Sequence, residues 1–205
     1  MIRVTWAFAL SLVMAGPVMA QNLLVNPGFD VPDQLAGWTC TTNNGVTTWS
    51  PDDRLGSPIS GSMQNDVTAT ADNRNVRCSQ CVPVNEQFGY IASTWFFWPD
   101  DADVSQQGST RISFVFYSDA DCTVVAGDGD IEIKAPILET WLHLESEEAV
   151  APIGAVAARF FVFTWQNNVN QPVRARLDDL DFSTTTRFRD GFESGDTSAW
   201  SRTVQ

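Results

Sequence analysis

The chain has 205 residues, 43% of them hydrophobic, and its 25 acidic side chains against 12 basic ones give a formal charge of −13. That balance argues against nucleic acid and anionic membranes as partners, because both require a basic surface. It is compatible with calcium, which takes hard oxygen ligands. The length suits one domain with a substantial core.

The first element in the chain is a leader. Val4 to Ala15 is an apolar run too short to cross a bilayer. Arg3 supplies a positive flank, Gly16-Pro17 breaks the helix, and Val18-Met19-Ala20 suits a signal peptidase, so residues 1–20 read as a signal peptide cut before Gln21. No stop-transfer pattern follows, so no transmembrane segment is expected and the mature chain is expected to be exported. Loss of Arg3 takes its charge to −14.

Asn22-Leu-Leu-Val-Asn-Pro-Gly-Phe-Asp30, followed by Trp38, places a short strand over Asn22–Val25 and a tight, acid-bearing turn at the mature N-terminus. Gly61–Ala69 and Val76–Val84 are the next candidate strands. In Tyr90–Trp98, Tyr90, Ala92, Thr94, Phe96 and Trp98 share one face, while Ile91, Ser93, Trp95 and Phe97 share the other. Pro99–Ser109 is a long acidic loop in which Asp100, Asp101 and Asp103 form either an ion site or, more commonly, a solvated turn. Thr110–Ser118 alternates Ile112, Phe114 and Phe116 with Arg111, Ser113, Val115 and Tyr117, the pattern of a strand with one solvated face. Ile131–Lys134, Glu139–Glu145, Val156–Trp165 and Val173–Phe182 continue the series, punctuated by turn clusters at Gly127-Asp-Gly129 and Asn167–Pro172. No amphipathic helix interrupts them. Eight to ten strands with such punctuation predict an all-β, two-sheet β-sandwich or jelly roll over residues 21–183.

Four cysteines remain after the leader, Cys40, Cys78, Cys81 and Cys122, and in an exported chain an even number reads as disulfides. Cys78-x-x-Cys81 alternatively matches half a zinc site or a redox motif, but there is no second CxxC and only one histidine. On a regular strand Cys78 and Cys81 face opposite sides and seek different partners. Of the three pairings, Cys40–Cys78 with Cys81–Cys122 is the one expected.

Catalytic signatures are sparse. His143 is the sole histidine, which excludes a two-histidine metal centre, and there is no Gly-x-Ser-x-Gly elbow or phosphate-binding glycine loop. Paired carboxylates hydrolyse glycosides without histidine, but the acids here cluster in turns, where solvation and ion binding explain them better. The chain is not expected to be an enzyme.

The opening motif with Trp38, then Gly61-Ser-Met63, Tyr90-x-x-Ser93-x-Trp95, Ala151-Pro-x-Gly-Ala155 and Leu177-Asp-Asp-Leu-Asp-Phe182, resembles the CenC-type carbohydrate-binding modules of families 4, 9 and 22. These are galactose-binding-like jelly rolls, and the likeness spans Asn22 to Phe182. The resemblance implies a structural calcium between the first turn and the last strand, held by Gly28, Asp30 and Asp178 or Asp179. Glutamate is common in the family where Asp30 stands, and Asp52, Asp53 and Ser57 are further possible ligands without a motif match. The resemblance also implies a poly- or oligosaccharide partner, bound by aromatic rings that stack on the apolar faces of sugars while polar groups meet their hydroxyls. Candidates are Trp95, Phe97, Tyr117, Trp141, His143 and Trp165, with Arg111 and Arg159 as donors. Trp38 and Trp200 read instead as packing residues.

Residues 184–205 form a linker and tail. Asp190-Gly-Phe-Glu-Ser-Gly-Asp-Thr-Ser-Ala-Trp200 echoes Pro27 to Trp38 and resembles a short ending seen on exported bacterial proteins. It implies recognition by export or surface-anchoring machinery, and a chain that is secreted, periplasmic or on the bacterial surface. Three functions remain in competition: a non-catalytic sugar-binding module, a structural or adhesive surface protein, and, remotely, a small glycoside hydrolase. Deleting Phe188–Gln205 is expected to leave thermal unfolding of the sandwich unchanged while altering retention at the cell surface. Collapse of the domain would contradict the tag reading.

Overall fold

A computed structural model describes residues 21–67, 75–100, 108–134, 137–166 and 172–185. The leader, Asp101, Asp103 and the tail motif, including Trp200, lie outside them. Among the described residues there is no helix, and the chain is an all-β sandwich of antiparallel sheets.

The strands are β1 (Thr39–Asn43), β2 (Gly45–Ser50), β3 (Ser62–Val67), β4 (Asn75–Pro83), β5 (Gly89–Phe97), β6 (Gly108–Tyr117), β7 (Val125–Lys134), β8 (Leu142–Glu145), β9 (Ala149–Val150), β10 (Ala157–Gln166) and β11 (Val173–Thr184). One sheet runs β1-β4-β10-β6-β7. The other runs β2-β3-β11-β5-β8, with β9 also paired to β5.

Period-two alternation fills the space between the sheets. Tyr90, Ala92, Thr94 and Phe96 of β5 point inward, as do Ile112, Phe114 and Phe116 of β6, and all are buried. Phe182 on β11 lies 4.9 Å from Phe114, 5.4 Å from Tyr90 and 6.0 Å from Phe160, ring centre to ring centre, so one aromatic cluster spans both sheets. At one end the buried polar side chains satisfy one another: Thr47 donates to Asn65, Asn65 donates to Thr164, and Thr164 pairs with Thr110 at 2.8 Å.

The disulfides are Cys40–Cys78 and Cys81–Cys122, the expected pairing. Parity explains it. Cys78 is buried and sits opposite Cys40 in the β1–β4 ladder, whereas Cys81 is exposed on the other face of β4 and joins the turn after β6.

Two expectations about local structure are corrected, and one further segment holds strands that were not expected. Asn22–Val25 is not a strand. Leu23 N–H donates to the Phe182 carbonyl, but the remaining ties come from side-chain amides: Asn22 brackets Leu180 and Phe182, and Gln80 bonds both the N–H and the carbonyl of Val25. Side chains complete a ladder that the backbone does not continue.

Gly127-Asp-Gly129 is not a turn but the interior of β7. A Cβ at Gly129 would overlap the Phe114 ring and its carbonyl, so glycine is required there for close approach to β6, and the pairing register shifts nearby. The segment Thr39–Ser50 also holds two strands that hydrophobic alternation did not reveal. At Asn44, φ is +57°, the left-handed conformation that asparagine tolerates, and the chain passes there from one sheet to the other.

Candidate functional site

The parity that buries Phe160, Val162 and Thr164 puts Arg159, Phe161, Phe163 and Trp165 on the outer face of β10. Three aromatic residues therefore alternate along one strand, Phe161 buried and the Phe163 and Trp165 ring centres 5.3 Å apart. The register places Arg77 of β4 and Arg111 of β6 on either side of Phe163. The Arg77 guanidinium carbon lies 3.7 Å from the centre of the Phe161 ring, and that of Arg111 lies 4.5 Å from Phe163 and 5.7 Å from Trp165. A groove of about 300 Å³ opens here, and Arg77, Arg111, Ser113, Asp128, Phe161 and Phe163 contribute to its lining.

Arg77 is solvent-exposed as a residue, yet loss of hydration at its guanidinium, against an opposing effect of Tyr117 and with smaller repulsion from Arg159 and Arg111, holds its pKa below the usual arginine value. Arg111 Nε is buried without a hydrogen-bond partner. At the far end of the same face Arg159 lies 5.4 Å from the Tyr117 ring and donates to the Cys122 carbonyl at 2.8 Å. Tyr117 is itself buried against Cys122 and Ala157.

The eight sugar-binding candidates thus fall on two faces. Tyr117, Trp165, Arg111 and Arg159 belong to the five-stranded sheet; Trp95, Phe97, Trp141 and His143 belong to the six-stranded one. They cannot all serve one ligand. On the six-stranded side Trp95 stands opposite His143 in the ladder, with ring centres 5.0 Å apart, and Phe97 meets Trp141 at 5.3 Å. Arg54 covers Trp95 at 4.5 Å, and Arg176 approaches Phe97 at 5.8 Å. A second depression of about 480 Å³ lies beside Phe97, Trp141 and Arg176, rimmed by Asp52 and Asp53.

Arginines on this second face are matched by acids: Arg54 with Asp179, Arg176 with Asp52, and Arg174 with Asp66. No such pair engages Arg77, Arg111 or Arg159 among the described residues. The two faces therefore differ in charge as well as in shape.

Of the expected calcium ligands, Gly28, Asp30 and Asp179 lie together where the opening turn meets β11, the middle strand of the six-stranded sheet. A Cβ placed on Gly28 would stand 3.9 Å from each of Asp30 Oδ1, Asp179 Oδ1 and Ser60 Oγ, so a side chain fits there and the position is a small cradle of oxygens. The turn's left-handed residues are Asn26 and Phe29 rather than Gly28. Asp178 is fully buried, its carboxylate accepting from the N–H groups of Arg54 and Asp179. Burial, with the charges of Asp179 and Asp53 nearby, pushes its pKa up to about 7. Desolvation also acts on Asp53, but bonds from Ser57, Ser60, Leu55 and Asp178 outweigh it and hold Asp53 below the usual carboxylate range. Arg54 engages Asp179 Oδ2 and leaves Asp178 unneutralised. The donor set is hard oxygen throughout and suits calcium in its chemistry. Among the described residues no three acidic, histidine or cysteine side chains are already gathered as a metal cage.

Trp38 contacts Phe29 at 5.9 Å and Phe160 at 6.0 Å, which fits the packing role read for it. Sequence reasoning did not single out Arg77, Phe161 or Phe163. The shared parity of Phe161, Phe163 and Trp165 was a usable signal; the placement of Arg77 beside them depends on register, which no local pattern reveals.

No protein-family model matches the chain, and no curated protein matches it. Solved structures share its fold. TmCBM61, a carbohydrate-binding module in complex with β-1,4-galactotriose, superposes with a TM-score of 0.56 at 12% identity over 80% of this chain and 99% of its own. The active domain of tailspike protein 4 of bacteriophage CBA120 gives 0.58 at 12% identity over 80% of this chain, which spans only 21% of the tailspike domain's length. A Stig cyclase from Fischerella sp. TAU gives 0.56 at 9% identity over 82% of this chain and 98% of its own. The chain shares the β-sandwich fold found in carbohydrate-binding modules.

Proposed function

We propose that this protein is an exported, non-catalytic carbohydrate-binding module whose ligand lies along the outer face of the five-stranded sheet. One observation carries this reading: Phe163 and Trp165 are half-buried side by side on the outer face of β10 at a groove, with Arg111 beside them and Arg77 seated on the buried Phe161 ring. Sugar rings offer an apolar C–H face to aromatic side chains and hydroxyls to the polar rim, and the groove supplies both surfaces. The likeness of the fold to a module solved with a galactotriose supports the same reading.

The six-stranded face favours a structural role. Its arginines Arg54 and Arg176 are already bonded to Asp179 and Asp52, so fewer of their donors are free for a ligand. That face belongs to the alternative function, a structural or adhesive surface protein that does not bind glycans. The disulfides accord with export through an oxidising compartment. No helix among the described residues is long and apolar enough to cross a membrane.

A calcium ion is proposed as a structural clamp, held by the Gly28 carbonyl, Asp30, Asp178 and Asp179, with Asp53 adjacent. Its charge would compensate the burial and, secondarily, the repulsion that raise Asp178, and its ligands would join the opening turn to β11. Calcium is expected to raise the melting temperature of the chelator-treated protein by on the order of 5–10 °C; an identical melting curve with and without the ion would remove the clamp from this account.

Substitution tests the binding face. Phe163→Ala is expected to weaken binding to whichever polysaccharide the protein retains in affinity electrophoresis by at least about tenfold, while Trp141→Ala leaves it unchanged. The reverse pattern would move the site to the six-stranded sheet.

A further inference from the structure

We infer that the glycan bound in the groove of the five-stranded sheet is acidic, bearing carboxylate or sulfate groups. This rests on the sugar-binding reading and narrows it to a class of ligand. The chain carries −13 overall, yet among the described residues Arg77, Arg111 and Arg159 have no acidic partner within 4 Å, whereas Arg54, Arg174 and Arg176 on the opposite side each do. In so acidic a protein, partners for Arg77, Arg111 and Arg159 are abundant, and leaving all three unpaired on one face concentrates positive charge there.

Aromatic stacking holds two of these cations in place without neutralising them. Arg77 lies flat enough on Phe161 for a 3.7 Å separation, and Arg111 is held beside Phe163 and Trp165 with a buried Nε that lacks an acceptor. Both side chains line the groove. They stand on β4 and β6 with β10 between them, about 10 Å apart at the backbone. A guanidinium presents a planar fork of donors that matches a carboxylate or sulfate with two bonds, and the ring under each fork restricts its motion. Repulsion among the three arginines, already felt by Arg77, is relieved when an anion enters.

Asp128 is the one carboxylate on the groove lining, and it makes no ion pair with these arginines. Single-stranded nucleic acid also combines phosphate with stackable rings, but a partner dense in charge meets the acidic surface beyond the groove, which a glycan with one anion per sugar or fewer tolerates better.

The full chain is titrated with polygalacturonate and alginate beside their methyl-esterified forms, with carrageenan beside neutral agarose, and with an oligo-dT strand. At least one acidic glycan is expected to bind about tenfold or more tightly than its neutral counterpart, and its binding is expected to weaken as salt rises. The double variant Arg77→Gln/Arg111→Gln is expected to abolish that preference with an unchanged melting curve, and Phe163→Ala to weaken acidic and neutral glycans alike. Equal binding of neutral and acidic forms, insensitive to the arginine substitutions, overturns the acidic assignment and leaves sugar binding standing. Binding to none of the glycans overturns both, and tighter binding of oligo-dT than of any glycan assigns the groove to nucleic acid instead.

Discussion

The cluster of Phe114, Phe160, Phe182 and Tyr90 is the contact on which the rest of the molecule depends. It joins β6 and β10 of one sheet to β5 and β11 of the other, and Phe182 touches all three remaining rings. Once these side chains are committed inward, strand parity decides where their neighbours go. Phe161, Phe163 and Trp165 must face outward because Phe160, Val162 and Thr164 face inward. The binding face is thus a by-product of the core, and a one-residue slip of β10 would exchange the two.

The same constraint acts on the six-stranded sheet with a different outcome. Trp95 and Phe97 are turned outward by the burial of Phe96 and Trp98, but Arg54 and Arg176 approach them with their charges already matched. On both faces arginines lie over the outward rings, and the faces differ in whether those arginines are also held by acids. The contrast in ion pairing separates two surfaces of similar composition, and net charge would have missed it.

The sandwich was legible in the sequence because alternation is local. The inward and outward sets on β5 and β6 follow from counting residues, as does the opposite orientation of Cys78 and Cys81. Features that depend on distant neighbours were not legible. The Gly127–Gly129 segment reads as a turn until Phe114 is known to lie against Gly129. Gln80 and Asn22 tie down the N-terminal segment through side chains, so a strand-like pattern forms no strand. Of the site, individual aromatic and arginine residues were visible, but their division between two faces was not, because sheet order decides it. Arg77 joins Phe163 only through the β4–β10 register.

Labelled backbone amides report most directly on whether the outer face of β10 is where a ligand sits. In a nitrogen–proton correlation spectrum titrated with an oligosaccharide that the protein binds, shifts are expected along Arg77–Gln80, Arg111–Val115 and Phe161–Trp165, with the indole signals of Trp95 and Trp141 unmoved. Shifts centred on Trp95, Phe97 and Trp141, with the β10 amides still, would contradict the account.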